Sequence, residues 1–341
     1  MAGKTRILFI GAGASLGARS THSKRPPLGL QLCDWLREQI PLLQKEAYLV
    51  ELHQIIYEGG KVLEKHSNEN RFETLVSMLD RDDRVSLQRL LQICFSDLSE
   101  KRNTEIDLGC RSIPDGYDDL LDKLNIGSGD WTVISLNYDL LFEEAFRRKD
   151  IALQYQHFPF SLGQDQSKEP GVRIYKPHGS INFFAKPDHR IFHHEPAPED
   201  DRGQPTHYDF DEEGNPNPVY PIVFAGLPGA ANVLTKVDSS HVVFPVMANY
   251  TRGKKSDANL RTLELVRQDA LTIAKNAEEI IVIGVKPIGE PADDNFAHEL
   301  LSLPIPKYTY VTKDEADASV IRLIHRNVRI CQNGLNEFLT S

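Results

Sequence analysis

The sequence predicts an α/β fold: a Rossmann-like parallel sheet with helices on both faces and a mainly helical insertion. Three observations carry this expectation. Short apolar runs alternate with stretches of helical periodicity through the second half of the chain. The first apolar run ends in a glycine-rich turn. Small polar clusters follow directly on later runs, which is where ligands sit in open parallel sheets.

Thr5 to Ile10 reads as a buried first strand, closed by Gly11-Ala12-Gly13-Ala14-Ser15. From about residue 28 to 124 the pattern becomes helical. Leu28, Leu32, Leu36 and Ile40 make one stripe, and Leu87, Leu90, Leu91, Cys94 and Leu98 another. Strand character returns at Trp131 to Leu136, with a helix from Leu140 to Arg148 and a strand at Arg173 to Lys176. Residues 186 to 221 are rich in Pro, His, Asp and Glu and read as a long polar loop insertion. A short strand is expected at Val242-Val243-Phe244 and a helix at Asn259 to Asn276. Glu279 to Val285 is the clearest buried strand. Helix–strand pairs then follow at 296–303 with 308–311, and at 316–326 with 328–331. The whole, residues 1–341, reads as one domain carrying the two insertions.

The net charge of -10, from 39 basic and 49 acidic residues, sets aside direct nucleic-acid binding as the first expectation, since no Lys/Arg-rich block stands out. An acidic chain can still hold one anionic small molecule on backbone amides. Cys33, Cys94, Cys110 and Cys331 are too scattered for a zinc ribbon or a redox pair and fit a reducing, cytoplasmic compartment. The run Ile7 to Ile10 is too short to span a membrane, so no membrane association is expected. His189, His193, His194 and His207 lie among carboxylates in the polar insertion; a solvated acidic loop is preferred there to a metal site, and no metal is predicted.

Three clusters carry chemistry. Glycines in Gly11-Ala12-Gly13-Ala14-Ser15 let backbone approach a pyrophosphate, or simply make a tight turn. Asn137-Tyr138-Asp139 and Lys176-Pro177-His178-Gly179-Ser180 each follow a strand. Taken singly, Asn caps turns and a lone loop His is an ordinary surface residue. An imidazole that is neutral near physiological pH can, however, accept a proton.

Taken in order, these clusters resemble the sirtuin family. Most similar are the bacterial sirtuin-like proteins of antiphage defence, whose patterns resemble Pro27-Leu28-Gly29, Asn137-Tyr138-Asp139 with Phe142-Glu143, and His178-Gly179-Ser180-Ile181-Asn182. They also resemble the late strand ending at Gly284, with Asp293-Asp294 downstream. The resemblance implies NAD as substrate, with Asn137, His178 and Asp139 catalytic and Gly11, Ala12, Gly13, Ser15, Gly179, Gly284 and Asp294 binding it. Asp139 then either orients Asn137 and supports a sugar cation, or caps the next helix. The chain departs from deacylating sirtuins in having no four-cysteine zinc module and no Gly-Ile-Pro-Asp-Phe-Arg loop. Water is therefore the expected acceptor, and the expected function is an NAD+ glycohydrolase of antiviral defence. The alternatives are a protein deacylase or ADP-ribosyltransferase, and a non-catalytic NAD- or ADP-ribose-binding subunit. The resemblance further implies a homo-oligomer, or restraint by a protein partner such as a HerA-type ATPase or a short Argonaute.

Overall fold

The structure, a computed structural model, describes residues 5–17, 35, 91, 94–95, 116–128, 130–158, 171–186, 208–210, 216–218, 222–225, 244–247, 260–287 and 296–341. Most of the expected helical insertion, the His cluster of the polar insertion and Asp294 lie outside the described residues.

Seven parallel strands form the main sheet: β1 (Arg6–Ile10), β2 (Trp131–Ser135), β3 (Leu153–Tyr155), β4 (Val172–Tyr175), β10 (Glu279–Ile283), β11 (Lys307–Val311) and β12 (Val328–Cys331). Their order is β12-β11-β10-β1-β2-β4-β3. The central strand β1 pairs in parallel with β10 on one side and β2 on the other, Leu8 facing Ile281 and Val133. Ile7, Leu8, Phe9 and Ile10 are all fully buried, so both faces of the sheet are covered there. This is why the strand sequences read as continuous apolar runs rather than as alternation.

The described helices are α1 (Ala12–Gly17), α2 (Gly116–Leu124), α3 (Leu141–Arg148), α4 (Leu260–Lys275), α5 (Phe296–Leu301), α6 (Glu315–Ile324) and α7 (Leu335–Thr340). Helices α1, α2, α3 and α7 touch one another in a group, and α4 packs with α5. Aromatic edges pack sheet on helix and helix on helix: Phe9 of β1 meets Phe296 of α5 with ring centroids 6.4 Å apart, and Tyr117 of α2 meets Phe142 of α3 at 5.0 Å.

Two of these helices are capped by aspartate. Helix α6 begins at Asp314, whose carboxylate accepts from the Ala316 amide at 2.9 Å. Glu315 and Asp317 add negative charge to its first turn. Asp314→Ala is expected to cost about 1 kcal/mol, read as a lower urea midpoint at unchanged slope. Helix α3 starts after Leu140, which offers no side-chain cap; Asp139 supplies it from one residue earlier.

Outside the main sheet, β5 (Gly179–Lys186) lies between β8 (Ile222–Ala225) and β9 (Phe244–Met247) in an antiparallel three-stranded sheet. Of the strand expected at Val242-Val243-Phe244, only Phe244 lies among the described residues, and there the strand runs on to Met247. A further antiparallel pair, β6 (Tyr208–Phe210) with β7 (Pro216–Pro218), falls inside the stretch read as an unstructured polar loop. These three-residue strands have no apolar run, and only their partner defines them.

The chain leaves β1 toward β2 but leaves β10 toward β11 on the opposite side. The β1–β10 boundary is therefore the topological switch point, and its C-terminal edge is where an open parallel sheet presents a ligand crevice.

Candidate functional site

Every described site residue expected from the sequence lies on that C-terminal edge. Gly11 to Ser15 follow β1, Asn137 to Asp139 follow β2, His178 and Gly179 follow β4, and Gly284 follows β10. The parallel ladder continues one residue beyond the strands, with Leu136 N donating to Ile10 O, Gly11 N to Ile283 O and Gly284 N to Val311 O. This carries the rigidity of the sheet into the loops.

The glycines of the first loop serve the junction with β10. Gly13 N donates to Gly284 O at 3.1 Å, and Ala14 N turns back to Gly11 O at 2.8 Å. A Cβ on Gly11 would sit 2.7 Å from Gly284 O. Gly284 has φ +66, and a Cβ there would lie 2.0 Å from Ala14 N. The amides of Gly11, Gly13 and Ala14 are thus bonded to backbone carbonyls, while Ala12 is exposed at the rim.

Ser15 is the hub of the site. Its hydroxyl is 3.1 Å from Asp139 Oδ2 and 3.3 Å from Oδ1, to which it donates. Asn137 Nδ2 donates to Ser15 Oγ at 2.9 Å, and the Tyr117 hydroxyl lies 2.8 Å from it. A hydroxyl has one proton and two lone pairs. With that proton on Asp139, Ser15 can only accept from Asn137 and Tyr117. The Asn137 amide is therefore polarised one way: Nδ2 toward Ser15, Oδ1 away from it. Asn137 Oδ1 is buried and has no hydrogen-bond partner among the described residues. A buried carbonyl oxygen in that state is an acceptor awaiting a donor such as a hydroxyl or water.

Asp139 takes the capping role, and it reaches Asn137 only through Ser15. Its Oδ1 accepts from Leu141 N at 3.0 Å, capping α3, while the carboxylate also holds Ser15.

His178 occupies a turn closed by Gly179 N donating to Lys176 O at 2.9 Å. Pro177 and Gly179 take the turn positions that favour them, and Gly179 has φ +79. The imidazole is half-buried, with its ring 6.3 Å from that of Tyr138.

Beneath these loops lie groups to which the sequence reading gave no role. Lys176 is buried, and its Nζ donates to Glu143 Oε1 at 2.6 Å and to Asp139 O at 3.0 Å. Burial pushes the Glu143 carboxyl above its ordinary range, the Lys176 ammonium pulls it back, and the Asp139 carboxylate raises it again. Asn182 Nδ2 donates to the Tyr155 hydroxyl at 3.1 Å. Burial, with the charge of Glu143, holds that phenol well above its usual range. Lys176, Glu143 and Asn182 stand inside the sequence clusters, but their roles are set by partners distant in the chain.

Among the described residues no cluster of three or more His, Cys, Asp or Glu side chains has a metal-binding arrangement, and no helix is long and apolar enough to cross a membrane.

The SIR2-like domain family matches residues 132–209, a span that contains Asn137, Asp139 and His178. No curated protein matches the sequence. Among solved structures, the chain is similar to a Sir2 homologue mutant in complex with ADP-ribose, 12% identical, with 99% of this chain and 90% of that chain covered and a TM-score of 0.42. A structure bearing on the mechanism and regulation of Sir2 enzymes is 14% identical, covering 99% of this chain and 92% of that chain at a TM-score of 0.41. A SIR2 complex with an inhibitor, 2'-O-acetyl-ADP-ribose and a deacetylated peptide is 13% identical, covering 99% and 92%, at 0.38.

Proposed function

We propose that this protein binds NAD+ at the C-terminal edge of its sheet and hydrolyses the nicotinamide–ribose bond, giving nicotinamide and ADP-ribose. The observation that carries this reading is Asn137: its Nδ2 is fixed on Ser15 and its buried Oδ1 is left as an acceptor. The SIR2-like match over residues 132–209 supports the choice of substrate.

Breaking this bond builds positive charge on the ribose while a neutral nicotinamide leaves with the bonding electron pair. The site's task is to hold one pose and to favour that charge. Asn137 Oδ1 takes a ribose hydroxyl or the attacking water. The Asp139 carboxylate, held by Ser15 and by the Leu141 amide, supplies fixed negative charge behind Asn137. His178 accepts the proton as the water oxygen bonds to the anomeric carbon. Gly11, Ala12, Gly13, Ser15, Gly179 and Gly284 frame the pocket in this reading, and Asp294, outside the described residues, is proposed as a further binding residue.

Hydrolysis without an acceptor drains NAD+. That fits the NAD-depleting effector role in antiphage defence which the sequence resemblance implies, with restraint by self-association or by a regulatory protein partner.

The test is product analysis after incubating the purified chain with NAD+ in the absence of any acyl peptide. Nicotinamide and ADP-ribose are expected in equal amounts. Nicotinamide appearing only when an acyl-lysine peptide is added would replace hydrolysis by deacylation. NAD+ bound with no product under either condition would make the chain a binding subunit.

A further inference from the structure

We propose that Lys176 is a positioning residue, which fixes the His178 turn against the Asn137–Asp139 loop through the Asp139 carbonyl. The inference deepens the hydrolase reading and rests on it for its activity readout.

A lysine is almost never fully buried unless it is paired, because an ammonium loses much hydration free energy on leaving water. Lys176 is 1% exposed. Two of its three donors are placed by described contacts: Glu143 Oε1 at 2.6 Å and Asp139 O at 3.0 Å. The carboxylate neutralises the charge. The second contact is to backbone, and it joins the residue two before His178 to the residue two after Asn137.

The opposite side of the same turn is held in the same way. Ile181 N donates to Tyr138 O at 3.1 Å, and Ser180 Oγ donates to the same oxygen at 3.3 Å. The two consecutive carbonyls of Tyr138 and Asp139 therefore take donors from both flanks of His178. On the C-terminal flank the donors are a backbone amide and a hydroxyl, and on the N-terminal flank the donor is the Lys176 ammonium. With Lys176 removed, this pair of ties is reduced to one, and the distance between the two proposed reacting side chains is less restricted. Its effect on turnover thus runs through His178 and Asn137, and Lys176 need not touch substrate.

A buried ion pair with no such role predicts something different. In that case the lysine matters only because Glu143 must be neutralised, and deleting both charges restores everything. The experiment uses this contrast. Lys176→Met alone strands the buried Glu143 carboxylate and can fail to fold. The decisive variant is Lys176→Met/Glu143→Leu, which removes both charges and keeps the apolar volume. Its thermal midpoint is expected near that of wild type. Its kcat for nicotinamide release is expected to fall about 10- to 100-fold, as for a displacement of about 1 Å in a reacting group, with KM for NAD+ changed by less than about threefold. A stable double variant with wild-type kcat would overturn the proposal.

Failure of the hydrolase reading shows separately, as absence of nicotinamide release from wild type itself. Amide hydrogen exchange over residues 136–142 then decides the matter. Faster exchange in the double variant than in wild type is expected, and unchanged exchange would overturn the role of Lys176. If the double variant is unstable, Lys176→Gln/Glu143→Gln replaces it, with Glu143→Gln as its partner: faster exchange over residues 136–142 in the double variant than in Glu143→Gln supports the backbone tie, and equal exchange contradicts it.

Discussion

Gly284→Ala is expected to destabilise the protein by about 3 kcal/mol or more, and to reduce ligand binding at the same time. Two costs add. A non-glycine residue in the left-handed region costs about 1–2 kcal/mol, and φ at Gly284 is +66. The new methyl would also meet Ala14 N at 2.0 Å and Gly13 C at 2.3 Å, which are backbone atoms with no rotamer to yield. Overpacking of this kind costs about 1–3 kcal/mol even where side chains can move. The relief available is separation of the β1 and β10 loops, which would break the Gly13 N to Gly284 O bond and open the switch-point edge. Gly127→Ala is the matched control. A Cβ there meets Ile151 at 3.7 Å, an ordinary contact, and its denaturation midpoint should stay within about 0.5 kcal/mol of wild type. Equal midpoints for the two variants would show that the two loops are not locked as described.

His178→Ala is expected to lower kcat for nicotinamide release by about 10²- to 10⁴-fold, the usual contribution of a positioned general base. Its effect on stability should be small, because the imidazole is half-buried and the turn is closed by the Gly179 amide and framed by Pro177. Steady-state kinetics beside a thermal melt separates the two effects. Full turnover in a normally folded His178→Ala protein would remove the proton acceptor from the proposed mechanism and leave Asn137 and Asp139 to be reinterpreted.

Much of the architecture was legible because buried parallel strands announce themselves. Ile7 to Ile10 and Ile280 to Ile283 are apolar at every position, and each is followed by glycine. Helix α4 and the last helix–strand pair showed equally clear periodicity. The antiparallel strands were not legible in the same way. Strand β5 begins inside the His178-Gly179 cluster, where polar residues suggest a loop, and β6 and β7 are three residues each. Such strands exist by pairing: the partners of β5 lie far along the chain, and β6 and β7 are too short to show alternation.

The site divides along the same line. Gly11 to Ser15, Asn137, Asp139 and His178 stand out in the sequence because each follows a strand in a short, recognisable cluster, and the structure gathers them on one edge. Their connections were out of reach. Ser15 is 122 residues from Asn137, yet it sets the orientation of that amide. Lys176 ends a strand beside the His178 cluster, and Tyr117 belongs to no motif; only tertiary burial makes them a tie to Asp139 and a donor to Ser15. What the structure gives Gly284 is a packing duty against the Gly13–Ala14 backbone, which no sequence pattern reveals.

The most direct test of the site combines calorimetric titration of NAD+ with nicotinamide release, measured on wild type and on Asn137→Ala. Both proteins are expected to bind NAD+ with similar affinity. Wild type should release nicotinamide, and Asn137→Ala should be slower by about 10²-fold or more, because it lacks the fixed acceptor that favours the charged sugar. Undiminished release by Asn137→Ala, or no binding of NAD+ by wild type, would contradict the central claim.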